Sequence, residues 1–463
     1  MFGGRPINHI IKDTSFYKLV AAIAIPITLQ SLITIGVNMT DTMMVGALGE
    51  VPLSGASLAN QFIMVFQICC MGIGMGASVL TSRFWGMKNL DALKKAITIM
   101  LRICLGFALF FSLVTFFAPE AIMRIYTTDP EIIREGALFF KWSIPCYLLL
   151  GLSLTSTIVL RSVGQVRLPL ISSICAFIIN IIFNYLLIFG NWGAPRMGIE
   201  GSAISTLIAR VFEFSFICGY LFFVDKKINY RLRHLLMRCR DILKEYVEIA
   251  IPVLISDVLL ALGNNAVVMV IGHMGVSFVS ANAITVVLQQ LSTVFIQGIA
   301  NASAIITGHT LGRGDEETAQ QQGFTFLYLG IAVGICGAVL IWIASKPMIS
   351  FYNLTPATQQ ITYQLMLAIG FIVIFQSANS ILTKGVLRGG GDTRFLMIAD
   401  IIFLWVVSVP LGAMAGLVWH WPAFWIYTLL KIDQVIKAIW CIYRLRSRKW
   451  IKKIANYPVD QIQ

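Results

Sequence analysis

The chain has 463 residues, of which 57% are hydrophobic and only 12% are charged. Soluble globular proteins carry about a quarter charged residues, so this composition excludes a soluble enzyme or binding domain and indicates a polytopic membrane protein. The net charge of +13 would also suit a nucleic-acid-binding protein. In a membrane protein, however, basic residues usually collect on one side of the bilayer, so their placement decides between the two.

The basic residues follow that membrane rule. Counted by alternate loops, roughly twenty-five Lys and Arg lie on the side of the N-terminus and about five on the other side. The opening segment is polar and basic and lacks the apolar run of a signal peptide. The sequence therefore predicts a multi-pass protein of the cell (inner) membrane with both termini in the cytoplasm. Its partner is the lipid bilayer, and nucleic acid is not expected.

Twelve apolar segments run from end to end of the chain. A bilayer core of roughly 30 Å needs about 20 apolar residues per helix, and each segment meets that length. The predicted helices are 16–45, 53–80, 93–117, 137–160, 169–190, 201–224, 246–271, 279–307, 323–345, 358–386, 395–418 and 422–445. This pattern predicts an all-α membrane protein with twelve transmembrane helices in two pseudo-symmetric six-helix bundles.

The predicted domains follow from these segments: an N-terminal bundle at 1–224, a basic cytoplasmic linker at 225–245, a C-terminal bundle at 246–445 and a cytoplasmic tail at 446–463. The linker places its leucines on one face of a possible helix and its basic residues on the other. That arrangement predicts an interfacial helix attracted to anionic lipid.

The first predicted helix breaks two rules for membrane segments. Pro26 removes a backbone donor and bends the helix, which predicts a hinge. Asp41 places a carboxylate inside an apolar segment, and intramembrane acids mark function more often than structure. A kink and an acid together indicate a helix with a functional role.

The sequence pattern of the first helix recurs 226 residues later, at the start of the second half. Six predicted helices separate equivalent points, so both copies begin on the same side and form a parallel repeat. Asp41 falls on Val267, so the acid belongs to the first half alone. The matched pairs are Pro26 with Pro252, Asn38 with Asn264, Met43 with Met269, Gly46 with Gly272, Gly49 with Gly275 and, after one inserted residue, Gly164 with Gly391.

Polar residues of the first half sit at helical spacing. Asn38 and Asp41 are three apart on the first helix, and Asn180 and Asn184 are four apart on the fifth. One carboxylate with amide and hydroxyl oxygens suits a sodium ion, whereas a desolvated carboxylate holds a proton instead. The candidate cation-coupling residues are Asp41, Asn180, Asn184, Asn38, Thr206 and Ser202, and the candidate Na⁺ ligands are Asp41, Asn180 and Asn184.

Other charged residues have simpler interpretations. Arg210 and Glu213 are three apart on the sixth helix, a spacing that favours pairing with each other. Lys384, Asp400, Lys431 and Asp433 lie closer to helix ends, where long side chains reach the interface, so these four are predicted to be structural.

The second half is polar in a different way, with amides spread over several of its helices. Asp257 follows Pro252 and is the remaining acid of the second half that is a candidate for a role in transport. Amides, thioethers and aromatic rings would suit a cavity for varied amphipathic molecules. The substrate-cavity candidates are Asp257, Asn264, Gln290, Gln297, Asn301, Gln376 and Asn379.

The chain resembles the multidrug and toxic compound extrusion (MATE) family, whose wider superfamily also contains lipid-linked oligosaccharide flippases. The likeness rests on Pro26, Asn38, Asp41 and Gly46, on the loop LRGGGDTR (387–394) and on its degenerate copy LRSVGQVRLP (160–169). It implies efflux of amphipathic organic cations, driven by Na⁺ or H⁺ through the first half. It also implies a site made of the first-helix Asp, the fifth-helix pair and a sixth-helix hydroxyl. Some relatives have a second acid at the position of Asn184.

These observations predict a secondary active antiporter that exports amphipathic, mostly cationic compounds as a monomer. It needs no cofactor, with Na⁺ or H⁺ as the coupling ion. Nucleotide, metalloprotease and serine-hydrolase motifs are missing from the sequence, so no enzyme activity is expected. Two alternatives stay open: a lipid-linked oligosaccharide flippase of the same superfamily, and a membrane-embedded transferase.

Overall fold

The computed structural model describes residues 10–350 and 355–453, and this part of the chain is helical without a β-strand. The predicted all-α membrane fold is confirmed. Residues 1–9 of the predicted cytoplasmic start and 454–463 of the predicted tail lie outside the described residues. The helices are α1 (Thr14–Gly46), α2 (Glu50–Gly86), α3 (Leu90–Phe117), α4 (Pro119–Tyr126), α5 (Pro130–Ser162), α6 (Arg167–Phe189), α7 (Ile199–Val224), α8 (Arg240–His273), α9 (Val276–Gly312), α10 (Glu316–Ser350), α11 (Pro356–Gly389), α12 (Thr393–Val418), α13 (Ala423–Leu430) and α14 (Ile432–Arg446).

All twelve predicted segments are helical, and most helices begin or end several residues outside the predicted bounds. The start of α5 gives the reason, since it lies at Pro130 rather than at the predicted residue 137. The Asp129 side chain accepts a hydrogen bond from the Glu131 backbone N–H at 2.9 Å, and Pro130 occupies the first helical position. A polar cap and a proline extend the helix beyond its apolar stretch. The short helix α4 was not predicted because its eight residues cannot span a bilayer.

The twelfth span is broken, which the sequence pattern did not indicate. Within the described residues, eleven helices are long and apolar enough to cross a membrane, and the remaining span is divided into α13 and α14 at Lys431. The hydroxyl of Ser408 donates to the carbonyl oxygen of Leu430 at 2.7 Å. A side chain that satisfies a freed backbone carbonyl makes such a break tolerable inside the membrane.

The interfacial helix predicted for the linker is wrong. Between α7 and α8 the chain forms a 3-10 turn at Leu232–Leu236, and Asp225 accepts a hydrogen bond from the Ile228 N–H at 2.8 Å. Tyr230 is buried and its hydroxyl lies 2.9 Å from the hydroxyl of Thr98 on α3. Burial raises the pKa of Tyr230 to about 12, above the usual value of about 10 for tyrosine. These local and tertiary bonds fix a turn that the amphipathic pattern cannot reveal.

Backbone geometry supports the repeat independently of the residue matches. Gly49 and Gly275 have φ of 117° and 109°, and Gly164 and Gly391 have φ of 81° and 78°. Both pairs are equivalent in the sequence repeat. Glycine is the residue that adopts positive φ without steric cost, so the two halves turn the chain in the same way at corresponding loops.

The chain forms two compact units. Described residues 10–28, 82–88, 251–350 and 355–453 form unit one, and residues 29–81 and 89–250 form unit two. The change of unit falls within two residues of Pro26 in α1 and of Pro252 in α8. Each of these helices therefore contributes residues to both units, and the change falls close to its proline. The predicted bundles at 1–224 and 246–445 describe the sequence repeat, and that division stays a prediction.

Unit one contains a close backbone contact between Gly86 and Gly312, which are 226 residues apart and so equivalent in the repeat. A Cβ added at Gly86, at the end of α2, would lie 2.3 Å from the carbonyl oxygen of His309 and 3.0 Å from the Cα of Gly312. Because the obstacle is backbone, a side chain at Gly86 forces the ends of α2 and α9 apart.

We expect Gly86→Ala to lower the free energy of unfolding by about 1–3 kcal/mol. Gly106→Ala on α3 is the matched control: nothing lies within 4 Å of its added Cβ, and helix propensity keeps its effect within about 1 kcal/mol. The melting temperatures of the two variants can be measured by thermal unfolding in detergent. A thiol-reactive dye reports the exposure of buried cysteines such as Cys70. Equal melting temperatures for the two variants would contradict the contact.

Candidate cation site and buried ion pairs

Within unit two, Asp41 meets the asparagine pair of the fifth span. The side-chain N–H of Asn184 donates to the Asp41 carboxylate at 2.5 Å and to the Oδ1 of Asn180 at 3.2 Å. Asn184 and Asn180 are 0% and 2% exposed, while Asp41 is half-buried. The acid comes from α1 and both amides from α6. Tertiary packing therefore brings a carboxylate and two amides of the predicted set into one buried cluster.

One acceptor in this cluster is unused. The Oδ1 of Asn184 is fully buried and has no hydrogen-bond partner among the described residues. A buried polar atom without a partner costs about 1–3 kcal/mol. It lies on the same amide that binds Asp41. The carboxylate and the amide oxygens of Asn180 and Asn184 are the hard donors that an alkali cation prefers, and the carboxylate alone can hold a proton.

The remaining predicted members of the cation site lie apart from this cluster. The hydrogen-bond partners of Asp41 among the described residues are on α6, not on α7. Ser202 is buried and Thr206 half-buried on α7, whereas Asn38 is exposed on α1. Three-residue spacing put Asn38 and Asp41 near the same helical face, yet α6 covers only the acid.

Unit two contains further polar contacts between its helices. Arg210 and Glu213 form the predicted ion pair, with 2.5 Å between Nη1 and Oε2. Arg161 on α5 donates to the Gln30 side chain, and Gln30 donates to the hydroxyl of Ser173 at 2.8 Å. Sequence reasoning missed Arg161 and Gln30. No spacing rule within one helix joins α1 to α5, so the sequence offered no signal for this contact.

In unit one, Asp257 is engaged in an ion pair. Nη2 of Arg388 lies 3.0 Å from the Asp257 carboxylate, and the side chains are 5% and 19% exposed. Arg388 belongs to the predicted loop LRGGGDTR, but the structure places it in the last turn of α11, and it was not predicted as a partner of this acid. A paired acid has less freedom to bind a transported ion than an isolated one.

A buried triad in unit one corrects the interface prediction for two acids. Lys437 lies 3.1 Å from Asp400 and 3.0 Å from Asp433, and all three are at most 5% exposed. Ser256 donates a further hydrogen bond to Asp400. Asp433 does lie in the first turn of α14, but the prediction that these two acids reach the interface is wrong, because both are buried. The four-residue spacing of Asp433 and Lys437 was the available signal.

The amide candidates of the second half are only partly joined. Asn379 donates to the Gln434 side chain at 2.8 Å, and Gln289, which was not predicted, donates to Gln376 at 3.0 Å. Lys431 donates to Asn264 at 3.0 Å. The side chain of Asn301 donates to the backbone oxygen of Gln297 at 2.8 Å, and Gln290 is exposed. These side chains form separate pairs along several helices.

Helices long and apolar enough to cross a bilayer, a duplicated order of elements and polar side chains buried between the helices define a multi-pass membrane transporter. A family model named MatE matches residues 26–186 and 252–414, which is one match in each repeat. The chain therefore belongs to the MATE family of efflux transporters, and the resemblance found in the sequence is confirmed.

Individual relatives agree with this assignment at low identity. The uncharacterized transporter YisQ of Bacillus subtilis is 23% identical over 434 residues, covering 92% of this chain and 94% of YisQ. The probable multidrug resistance protein NorM of Thermotoga maritima is 23% identical, covering 96% of each chain. A crystal structure of a variant of the MATE transporter VcmN of Vibrio cholerae matches with a TM-score of 0.85 at 15% identity, covering 95% of this chain and 99% of that one. At that identity the structural match shows the fold alone.

Proposed function

We propose that this MATE-family transporter is a secondary active antiporter that exports amphipathic, mostly cationic compounds in exchange for Na⁺ or H⁺. The observation that carries the proposal is the buried cluster of Asp41, Asn180 and Asn184, with its unpartnered amide oxygen. A carboxylate beside buried amide oxygens binds a small cation or a proton reversibly. NorM relatives, named as probable multidrug resistance proteins, support drug-like compounds as the exported class.

The cluster couples the two fluxes because ion binding and drug binding favour different conformations of the transporter. A coupling ion that enters from outside binds Asp41 and satisfies the unpartnered oxygen of Asn184. Pro26 lies in the same helix, close to the point where α1 passes from unit one to unit two. We assign the hinge to Pro26, so that ion binding changes the bend of α1 and lowers the affinity for drug. By linkage, drug binding lowers the affinity for the ion by the same factor.

The ion pair of Asp257 bears on the stoichiometry. Because Arg388 neutralises Asp257, Asp41 is the acid that we assign to coupling. Exchange of one monovalent drug for one monovalent ion moves no net charge. Each net charge that crosses about 100 mV would contribute roughly 2.3 kcal/mol. Transport of a monocation is therefore expected to be nearly independent of membrane potential.

Transport in proteoliposomes tests which ion drives export and whether net charge moves during transport. We expect export of a monovalent dye to follow either an imposed Na⁺ gradient or an imposed pH gradient, with no charge movement on a solid-supported electrode. Asp257→Asn is the matched variant, and it should leave the electrode silent. A robust current with the wild type would reject the single-acid scheme and bring Asp257 into coupling. Export driven by neither gradient would reject antiport.

The drug cavity is assigned to the second-half amides. Asn264, Gln290, Gln297, Asn301, Gln376 and Asn379 offer donors and acceptors along several helices, and exposed Met269 and Phe295 add thioether and aromatic surface. Such side chains adapt to varied amphipathic molecules and attract cations.

The flippase alternative needs several free basic groups for a pyrophosphate. Two arginines within the spans of unit two are otherwise engaged: Arg102 donates to backbone oxygens of Leu235 and Met237, and Arg210 pairs with Glu213. These contacts favour a drug exporter.

The proposed transporter is a monomer of the inner membrane with both termini in the cytoplasm. The excess of Lys and Arg on the side of the N-terminus supports this orientation. A reporter fused to either end, active only in the cytoplasm, tests it.

A further inference from the structure

Helix α11 exposes only polar side chains over its last turns. Residues 376–389 are all buried except Gln376, Ser380 and Lys384, which are partly exposed. These three residues are four apart and therefore share one face of the helix, over about 12 Å of its length. A face turned toward lipid would expose apolar side chains, whereas polar and charged side chains within a span face the protein interior or a water-filled cavity. This face of α11 therefore borders water.

Lys384 carries a positive charge on this face and forms no ion pair or hydrogen bond among the described residues. Nearby acids of unit one already have cations. Asp257 pairs with Arg388 at 3.0 Å, and Asp400 pairs with Lys437 at 3.1 Å. An intramembrane lysine without an ion pair is costly and marks a site where an anion can bind.

A second unused donor lies one turn further along α11. The Nε of Arg388 is buried and has no hydrogen-bond partner among the described residues, although the Nη2 of the same side chain pairs with Asp257. Such a donor is uncommon, since nearly all buried polar groups in proteins are hydrogen-bonded. Lys384 and Arg388 are four apart and so are neighbours on the helix surface. A ligand with two acceptor oxygens, such as a carboxylate, would satisfy both donors.

The contact between α9 and α11 places Lys384 beside the amides assigned to the drug. A Cβ added at Gly385 would lie 2.8 Å from the carbonyl oxygen of Ala300, so the two helices touch at this level. Lys384 precedes Gly385 in the chain, while Asn301 follows Ala300 and is partly exposed. The free ammonium and a proposed drug-binding amide therefore lie at the same level of unit one.

We propose that Lys384 is the anion-recognition residue of the drug cavity, and that the exported class includes amphipathic compounds with a carboxylate beside their cationic group. The inference rests on the proposed export of drugs and narrows its substrate class. An ammonium attracts a carboxylate and repels a permanent cation. The transporter therefore binds a zwitterionic compound more tightly than the same compound without its carboxylate.

The test compares norfloxacin, which carries a carboxylate and an amine, with its ethyl ester, in which the carboxylate is masked. Fluorescence anisotropy of each compound with the purified full-length transporter in detergent gives the two dissociation constants. We expect the wild type to bind the acid about tenfold more tightly than the ester, because the ester cannot make the charge-assisted hydrogen bond. In Lys384→Met the two constants should agree within about twofold, and Lys384→Arg should keep the preference.

Lys346→Met is the matched control, because Lys346 is exposed on α10 and its replacement should leave the preference for the acid unchanged. Export from proteoliposomes provides a second measurement. Lys384→Met should lose norfloxacin export and retain ethidium export, since a permanent cation gains nothing from an ammonium. A lysine with only a structural role would instead lower both exports and the melting temperature together.

Equal binding of acid and ester by the wild type would overturn the inference, as would a Lys384→Met protein that keeps the preference or loses ethidium export as well. The wild-type comparison needs no substitution, so it decides even where Lys384→Met does not fold. Failure of the proposed function is seen separately, because neither norfloxacin nor ethidium would then be exported by the wild type on any ion gradient, whatever the binding preference.

Discussion

Asp41→Asn is expected to abolish ion-driven export while the protein still folds. The amide has nearly the shape of the carboxylate, and its oxygen can still accept the hydrogen bond that Asn184 donates at 2.5 Å. The substitution removes the negative charge, which is required to bind either a sodium ion or a proton. In efflux-deficient cells, ethidium and norfloxacin should accumulate to the level of cells that carry the empty vector. Removing the cation-binding charge removes the coupling itself, so no residual ion-dependent export is expected.

Glu131→Gln is the matched control for this result. Glu131 lies exposed in the first turn of α5, so the same carboxylate-to-amide change should leave accumulation at the wild-type level. Equal export by wild type and Asp41→Asn would reject the coupling assignment. If the wild type exported no organic cation at all, the flippase alternative would become the better explanation.

The largest loss of stability is expected from Lys437→Met. Lys437 is 1% exposed and lies between the carboxylates of Asp400 and Asp433 at 3.1 and 3.0 Å. Methionine fills a similar volume but leaves two buried acids without their cation. Removing one partner of a buried ion pair costs about 3–5 kcal/mol. We expect a large fall in melting temperature in detergent and a low yield of folded protein.

Lys449→Met is the control, because Lys449 is exposed beyond α14 and its replacement should leave the melting temperature nearly unchanged. Lys437→Met combined with Asp433→Asn removes one of the two stranded charges and should recover part of the loss. A melting temperature for Lys437→Met equal to that of Lys449→Met would contradict the triad. A Lys437→Met protein that melts normally but does not transport would instead make the triad part of the transport machinery.

The second half illustrates where sequence reasoning failed. Asp257 looked like a free intramembrane acid, and Asp400 and Asp433 looked like interfacial residues. The structure pairs Asp257 with Arg388, 131 residues away, and joins Asp400 to Lys437, 37 residues away. The cost of burying a charge predicts that partners exist, but it does not identify them. Pairing between helices depends on which helices are neighbours.

The same limit applies to the coupling site. Helical spacing put Asn38 and Asp41 near one face of α1, yet Asn38 is exposed and Asp41 contacts Asn184. The rotation of a helix about its own axis is set by packing against neighbours, and a 57% hydrophobic chain gives little contrast between lipid-facing and protein-facing sides. The helix break at Lys431 was not predicted for a related reason. The freed carbonyls are satisfied by Ser408, which lies 23 residues earlier in the chain.

The sequence alone determined the membrane class, the helical segments, the repeat and the acid that distinguishes the halves. Each of these depends on local composition or on comparing the chain with itself, and the bilayer forces apolar segments of sufficient length to be helical. Only the tertiary structure decided which buried charges neutralise one another and which amides surround Asp41. Those contacts join residues far apart in the chain, and their geometry is fixed by side-chain packing between helices rather than by any spacing within one helix.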